Sequence, residues 1–225
     1  IHRLVAEHVR GAGLPQHGEA LDRFFDALGR AFAGQVGQRE DAALRAQHPW
    51  LRDQLGFLIG GKSALPPTPT LLGVAAVAAG FEGQHGSLST ALDMTQQVLA
   101  ANNALLAAKP DSAEAAREVS VSLNQVAGFL TRRGQPGDAE AAFANYRQSL
   151  LFGLQLWKAN PNSAQAARDV SVSLNQLADF LASRGQPGDA EAAFAHYQQS
   201  LSLCQQLREA DPNSAQAARD VSLIL

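Results

Sequence analysis

The residues best equipped for chemistry fall into three groups. The first is Gly56-Phe57-Leu58-Ile59-Gly60-Gly61-Lys62-Ser63, which satisfies the nucleotide-binding pattern GxxxxGK[ST]. In that pattern small residues let backbone N–H groups curl around phosphate, the lysine reaches the β- and γ-phosphates, and the hydroxyl holds magnesium. The surroundings argue against such a use. A strand should precede the loop, yet Trp50 to Leu55 is polar and helix-like. Phe57, Leu58 and Ile59 crowd the turn, and Pro66-Pro67 obstruct the helix that should follow. A helix end running into a linker accounts for the segment better. The second group is His2, His8, His17, His48, His85, His196 and Cys204. None forms HExxH or a Cys/His zinc spacing, so neither a metal nor a cofactor is expected, and no catalytic residue is singled out. Cys204 replaces Gly153 in an internal copy described below, which suits a packing substitution better than a nucleophile. The third group is polar and recurrent: Asn124-Gln125 and Asn175-Gln176, with Arg117 and Arg168 upstream and Gly128/Asp179 and Arg132/Ser183 downstream. An amide both donates and accepts, so it can pair with a peptide bond whatever side chain that residue carries. The same amides could equally bridge adjacent helices. Both readings stay open at this point.

Composition narrows the background. The chain has 225 residues, net charge −3, 46% hydrophobic residues, 6% aromatic residues and one cysteine. A near-neutral balance does not suit a general nucleic-acid binder. One cysteine excludes an internal disulfide framework. The longest apolar stretch, Leu71 to Phe81, is too short for the ~20 residues a membrane-spanning helix needs. These features predict a soluble, cytoplasmic, mostly helical chain without membrane association.

The elements that carry the polar residues come from a repeat. Residues 112–162 and 163–213 align at a period of 51, with 36 identical positions. A further copy opens at Ser214 and stops at Leu225, and a worn one covers 61–111, where Gly83-Gln84-His85-Gly86 stands for the later Gly134-Gln135-Pro136-Gly137. Residues 1–60 do not repeat, although Leu21, Phe24, Phe25, Leu28 and Phe32 are spaced helically, and Trp50 to Ile59 reads as another helix. Within one copy, Val170, Leu174, Leu177, Ala178 and Leu181 form a one-face stripe. Gly185 to Gly188 should end that helix, with Asp189 as N-cap of the next. Ala193, Tyr197, Ser200, Leu201 and Leu207 mark the packed side of the second helix, and Asp211-Pro212 ends it. Ser163 and Ser214 can cap the helices that follow. One such pair buries too little apolar surface to stand alone, so neighbouring copies must stack. The expected fold is all-α: an α-solenoid of antiparallel helix pairs over 61–225, after a helical segment at 1–60.

The spacing resembles the tetratricopeptide repeat. The matching residues are Leu174, Leu177, Ala178, Leu181, Gly185, Ala193, Tyr197, Ser200 and Pro212, and equally Leu123, Val126, Ala127, Leu130, Gly134, Ala142, Tyr146, Ser149 and Pro161. That family's period is about 34. The extra residues divide between a longer turn and two whole turns on each helix, which keep the same face inward. The resemblance implies first helices lining a concave groove. Leu123-Asn124-Gln125 and Leu174-Asn175-Gln176 are similar to the Leu-Asn-Asn runs of kinesin-light-chain-type repeats, whose asparagines hold an extended peptide by its backbone. The partner residues so implied are Asn124, Asn175, Gln125, Gln176, Arg117, Arg168, Arg132 and Asp179. The expected activity is a non-catalytic scaffold for a protein or peptide partner. Ile1-His2-Arg3-Leu4-Val5 with Val9-Arg10 resembles the segment preceding helical repeats in STAND-type signalling ATPases. That implies an alternative: the ligand-sensing part of a larger switch. The start at Ile1 and the break at Leu225 suit a piece of something longer, and an apolar face left at Leu225 suggests self-association or further copies.

Overall fold

The computed structural model describes residues 68–212 and 214–222, together with Arg52, Asp53, Leu55, Gly56 and Ile59. The resemblance at 1–10, the helix expected over 20–32 and most of the Gly56–Ser63 pattern lie outside them. Arg52, Asp53, Leu55, Gly56 and Ile59 are all helical, so the first glycine of that pattern stands in helical backbone. The described residues form seven α-helices and no strand: α1 Pro69–His85, α2 Leu88–Ala108, α3 Ala113–Arg133, α4 Asp138–Ala159, α5 Ala164–Arg184, α6 Asp189–Ala210 and α7 Ala215–Ser222. None of them is long and apolar enough to cross a membrane. The chain packs as two compact units, 1–102 and 103–225.

Within the second unit each helix lies on its successor: α3 on α4, α4 on α5, α5 on α6 and α6 on α7. The local causes repeat from copy to copy. Ser112 and Ser163 sit in extended backbone and accept from the N–H groups of Ala115 and Ala166, satisfying one orphan donor at each helix start. Gly134 and Gly185 close α3 and α5 with left-handed φ of 63° and 65°, a conformation a Cβ makes unfavourable. Gly137 and Gly188, at 86° and 87°, then hold the position expected for Asp189 as N-cap. The aspartates instead begin the helices. Asp138 and Asp189 accept the N–H groups of Gln135 and Gln186 and clamp Arg133 and Arg184 from the preceding helix.

The core of each pair follows the expected stripe on the first helix, where Val170, Leu174, Leu177, Ala178 and Leu181 are buried. The second helix differs. Ala193 and Ser200 are buried as expected, but Tyr197, Leu201 and Leu207 are only half-buried, and Leu203 and Cys204 fill the interior. A serine seam explains the close approach. Ser149 and Ser200 are 0% exposed. Ser149 meets the hydroxyl of Ser120 at 2.8 Å and donates to its carbonyl at 2.8 Å; Ser200 meets Ser171 at 2.9 Å and donates to its carbonyl at 3.1 Å. The Cys204 sulfur lies 3.0 Å from the Ser171 hydroxyl, and burial pushes its thiol pKa up. That setting suits packing. At the matching position, Gly153 leaves room for Val170, whose Cγ2 stands 3.3 Å from where a Cβ would lie.

The worn copy departs from the later ones. Gly83, Gln84 and His85 belong to α1, so the four-residue turn seen at Gly134 to Gly137 does not form there. Gly83 does not take the left-handed closing role of Gly134, and the helix runs on to its C-cap Gly86. Thr68 caps α1 ahead of Pro69, and the buried Glu82 accepts the N–H of Ser87 beyond its end.

Candidate functional site

Between the buried positions of α5 runs a second stripe that solvent reaches: Gln165, Arg168, Val172, Asn175, Asp179 and Ala182, spaced three and four residues apart. Its counterpart on α3 is Glu114, Arg117, Val121, Asn124, Gly128 and Thr131. This stripe carries most of the residues singled out from sequence. The structure ties the two together chiefly through polar contacts between the copies.

Arg117 reaches from α3 to Asp169 on α5, with Nε at 2.7 Å from one carboxylate oxygen and Nη2 at 3.4 Å from the other. Gln165, one turn before, donates to the same carboxylate at 2.8 Å. Arg168 repeats the gesture to Asp220 on α7 at 2.8 Å, with Gln216 donating at 2.7 Å. A forked guanidinium against a carboxylate fixes geometry as well as adding charge-assisted bonds. The Asp169 hydrogen bond raises the Arg117 pKa further above its ordinary range. Asn124 joins this ladder: its Nδ2 donates to Ser173 on α5 at 3.1 Å. Arg117, Arg168 and Asn124 therefore link one copy to the next.

Among the described residues, four amide oxygens of α3 and α5 find no donor: Asn124 Oδ1, Gln125 Oε1, Asn175 Oδ1 and Gln176 Oε1 are all buried without a hydrogen bond. The residues are half-buried as wholes, while these oxygens themselves are shielded from solvent. A buried acceptor left unmatched costs about 1–3 kcal/mol. Asp179 is exposed and accepts the hydroxyl of Tyr197 from α6. Partial burial and then this acceptor push the Tyr197 pKa up to about 12, so the phenol stays protonated in neutral water. In the preceding copy Gly128 stands in place of Asp179, and the Tyr146 hydroxyl occupies the space near it. Arg132 is exposed in the last turn of α3.

Residue typing alone passed over Val121 and Val172. Val172 is 47% exposed, a branched apolar side chain standing between the polar Arg168 and Asn175. Its signal was present in Val170-Ser171-Val172-Ser173-Leu174, where the helical period sends Val170 inward and Val172 outward.

Among the described residues no group of three or more His, Cys, Asp or Glu side chains stands where it could hold a metal ion. No protein-family model matches the chain, and no curated protein is similar to it.

Proposed function

We propose that the chain is a tetratricopeptide-like α-solenoid that holds an extended polypeptide segment across the first helices of successive copies, without chemistry of its own. The observation that carries this reading is Val172: an exposed apolar side chain framed by an engaged arginine and by amides whose oxygens lack donors. A peptide laid along Val121 and Val172 would cover apolar surface, and the Gln125, Gln176 and Asn175 amides, by rotating outward, would gain from its backbone N–H groups the donors they lack where they are. The ladder of Arg117, Asp169, Arg168 and Asp220 then keeps the helices at the spacing the peptide reads. Partner contact thus shifts towards the valines and glutamines, while Arg117, Arg168 and Asn124 act by setting the spacing of the copies.

The test begins with peptides selected from a random display library on the purified chain. Their affinities are then measured on a Val121→Arg/Val172→Arg variant. Both side chains are partly exposed, so the fold should persist, as circular dichroism would verify. The proposal expects binding to fall about tenfold or more, a loss equivalent to ~1.4 kcal/mol. Unchanged affinity in a folded variant would remove the stripe from the binding surface.

A further inference from the structure

A cavity of about 550 Å³ lies within the second compact unit, between the last turns of α2, the first turn of α3 and the last turns of α4. Its walls are chiefly apolar: Leu106 and Ala107 from α2, Ala116 from α3, and Phe152 and Leu156 from α4. Among the described residues that line it, Asp111 is the one that carries charge, and Lys109, two residues before it, is not part of the wall. Asn103 and Gln155 add amide groups. The volume falls within the range of small-molecule sites, roughly 300–1,000 Å³, which pair apolar walls with a few polar groups.

The matching cleft one period later is better filled. Trp157 and Lys158 stand there for Leu106 and Ala107, and Asn162 stands for Asp111. Two residues of the facing helices change their cover at the same time. Ala167 on α5 and Leu203 on α6 are buried, each at 7% exposure. Their counterparts Ala116 and Phe152 are only half-buried, although Phe152 is the larger side chain. A bulky pair on the preceding helix thus accompanies a covered floor, and a small pair accompanies an open one. Apolar surface left against water in this way is surface a ligand gains by covering.

We propose that this cavity binds a small aromatic amine, a planar ring of indole size that carries a protonated amino group. The size of the ring follows from Trp157, whose indole stands at the position that Leu106 holds here. Its flatness suits the half-covered Phe152, because offset or edge-on aromatic pairs gain beyond their buried area. The cation follows from Asp111, a carboxylate at the wall of this cleft where the later one has the neutral Asn162. The cavity shares no lining residue with the stripe on α3 and α5, so it stands whether or not a peptide binds there.

The probe is tryptamine, titrated into the full chain while backbone amide shifts are followed by NMR. Amides of residues 103–116 and 152–159 should shift together and saturate, with a Kd on the order of 1 mM, ordinary for so small a ligand. N-acetyltryptophanamide carries the same ring without the charge and stands for a tryptophan within a peptide. It should bind about threefold more weakly, the scale of an exposed ion pair. Asp111→Asn should remove that preference while leaving the ring's binding in place. Leu106→Trp should fill the cavity and abolish the saturable shifts. Its melting temperature should equal or exceed that of the parent, because α4 already carries tryptophan at this place. Absence of saturable shifts around the cavity at about tenfold the expected Kd overturns the proposal, as does equal binding to a folded Leu106→Trp chain. A preference for tryptamine that survives Asp111→Asn overturns the role of the carboxylate. Tighter binding of N-acetyltryptophanamide than of tryptamine also overturns the proposal, because the occupant is then a ring borne on a peptide.

Discussion

Asp138 and Asp189 each hold a turn closed from within. Asp138 receives Arg133 at 2.9 Å and 2.7 Å through two nitrogens, and the Gln135 N–H at 2.9 Å. Asp189 does the same with Arg184 at 2.8 Å and 2.6 Å and the Gln186 N–H at 2.9 Å. The arginine hydrogen bond is the main cause that lowers both carboxyls below their ordinary 3.8. The sign of the linkage follows. A carboxylate with a depressed folded-state pKa contributes stability that is fully present above 3.8 and is lost as pH falls through the lower folded-state value. The Asp138→Asn/Asp189→Asn double variant should therefore melt at a lower temperature at pH 7. Its melting temperature should also fall less steeply than that of the parent on acidification below 3.8. Parallel melting curves from neutral pH to acid would contradict the clamp. Burial raises the pKa of all three groups, but only at Cys204 does it prevail, because no arginine hydrogen bond outweighs it there.

Helix boundaries were largely legible in the sequence, because they depend on local backbone chemistry. Ser163 and Gly185 act where their types and places predict, and Ser112 and Gly134 do the same one period earlier. Two boundaries needed the structure. Gly188 takes the cap position expected of Asp189, because a left-handed residue there lets the aspartate turn back to the arginine. In the worn copy Gly83 does not take the left-handed closing role of Gly134, and Gly83 to His85 continue α1 up to its C-cap Gly86. Least legible was the packing of the second helices. Periodicity ranks Leu201 and Leu207 as core, but the serine seam draws α5 and α6 together on the side of Ser200, Leu203 and Cys204. The seam makes a firm prediction about size. Ser149→Leu forces a large side chain between α3 and α4 and should destabilise by ~1–3 kcal/mol in urea unfolding. Ser149→Ala removes one hydroxyl and should cost about 0.5–1.5 kcal/mol. A leucine tolerated as well as the alanine would mean that the two helices are not held at close range.

At the scale of the whole molecule, one sequence signal became clear only in three dimensions. The dipeptides Arg117-Glu118, Arg168-Asp169 and Arg219-Asp220 recur with the period of 51, and each of the first two arginines pairs with the acid of the following copy. Periodicity alone shows that these residues share a face; it does not show that the partner lies one copy away. The arginines, and Asn124 with them, join the copies, and in the proposed function the intervening Val121 and Val172 are the surface that meets the peptide. The most direct measurement of that claim places a photo-crosslinking phenylalanine analogue at residue 172, at residue 121, or at the exposed Leu151 on α4 as a control. Each chain is irradiated with the selected library peptide. The account predicts covalent adducts from positions 172 and 121 and none from 151. Adduct formation at 151 with none at 172 would contradict it.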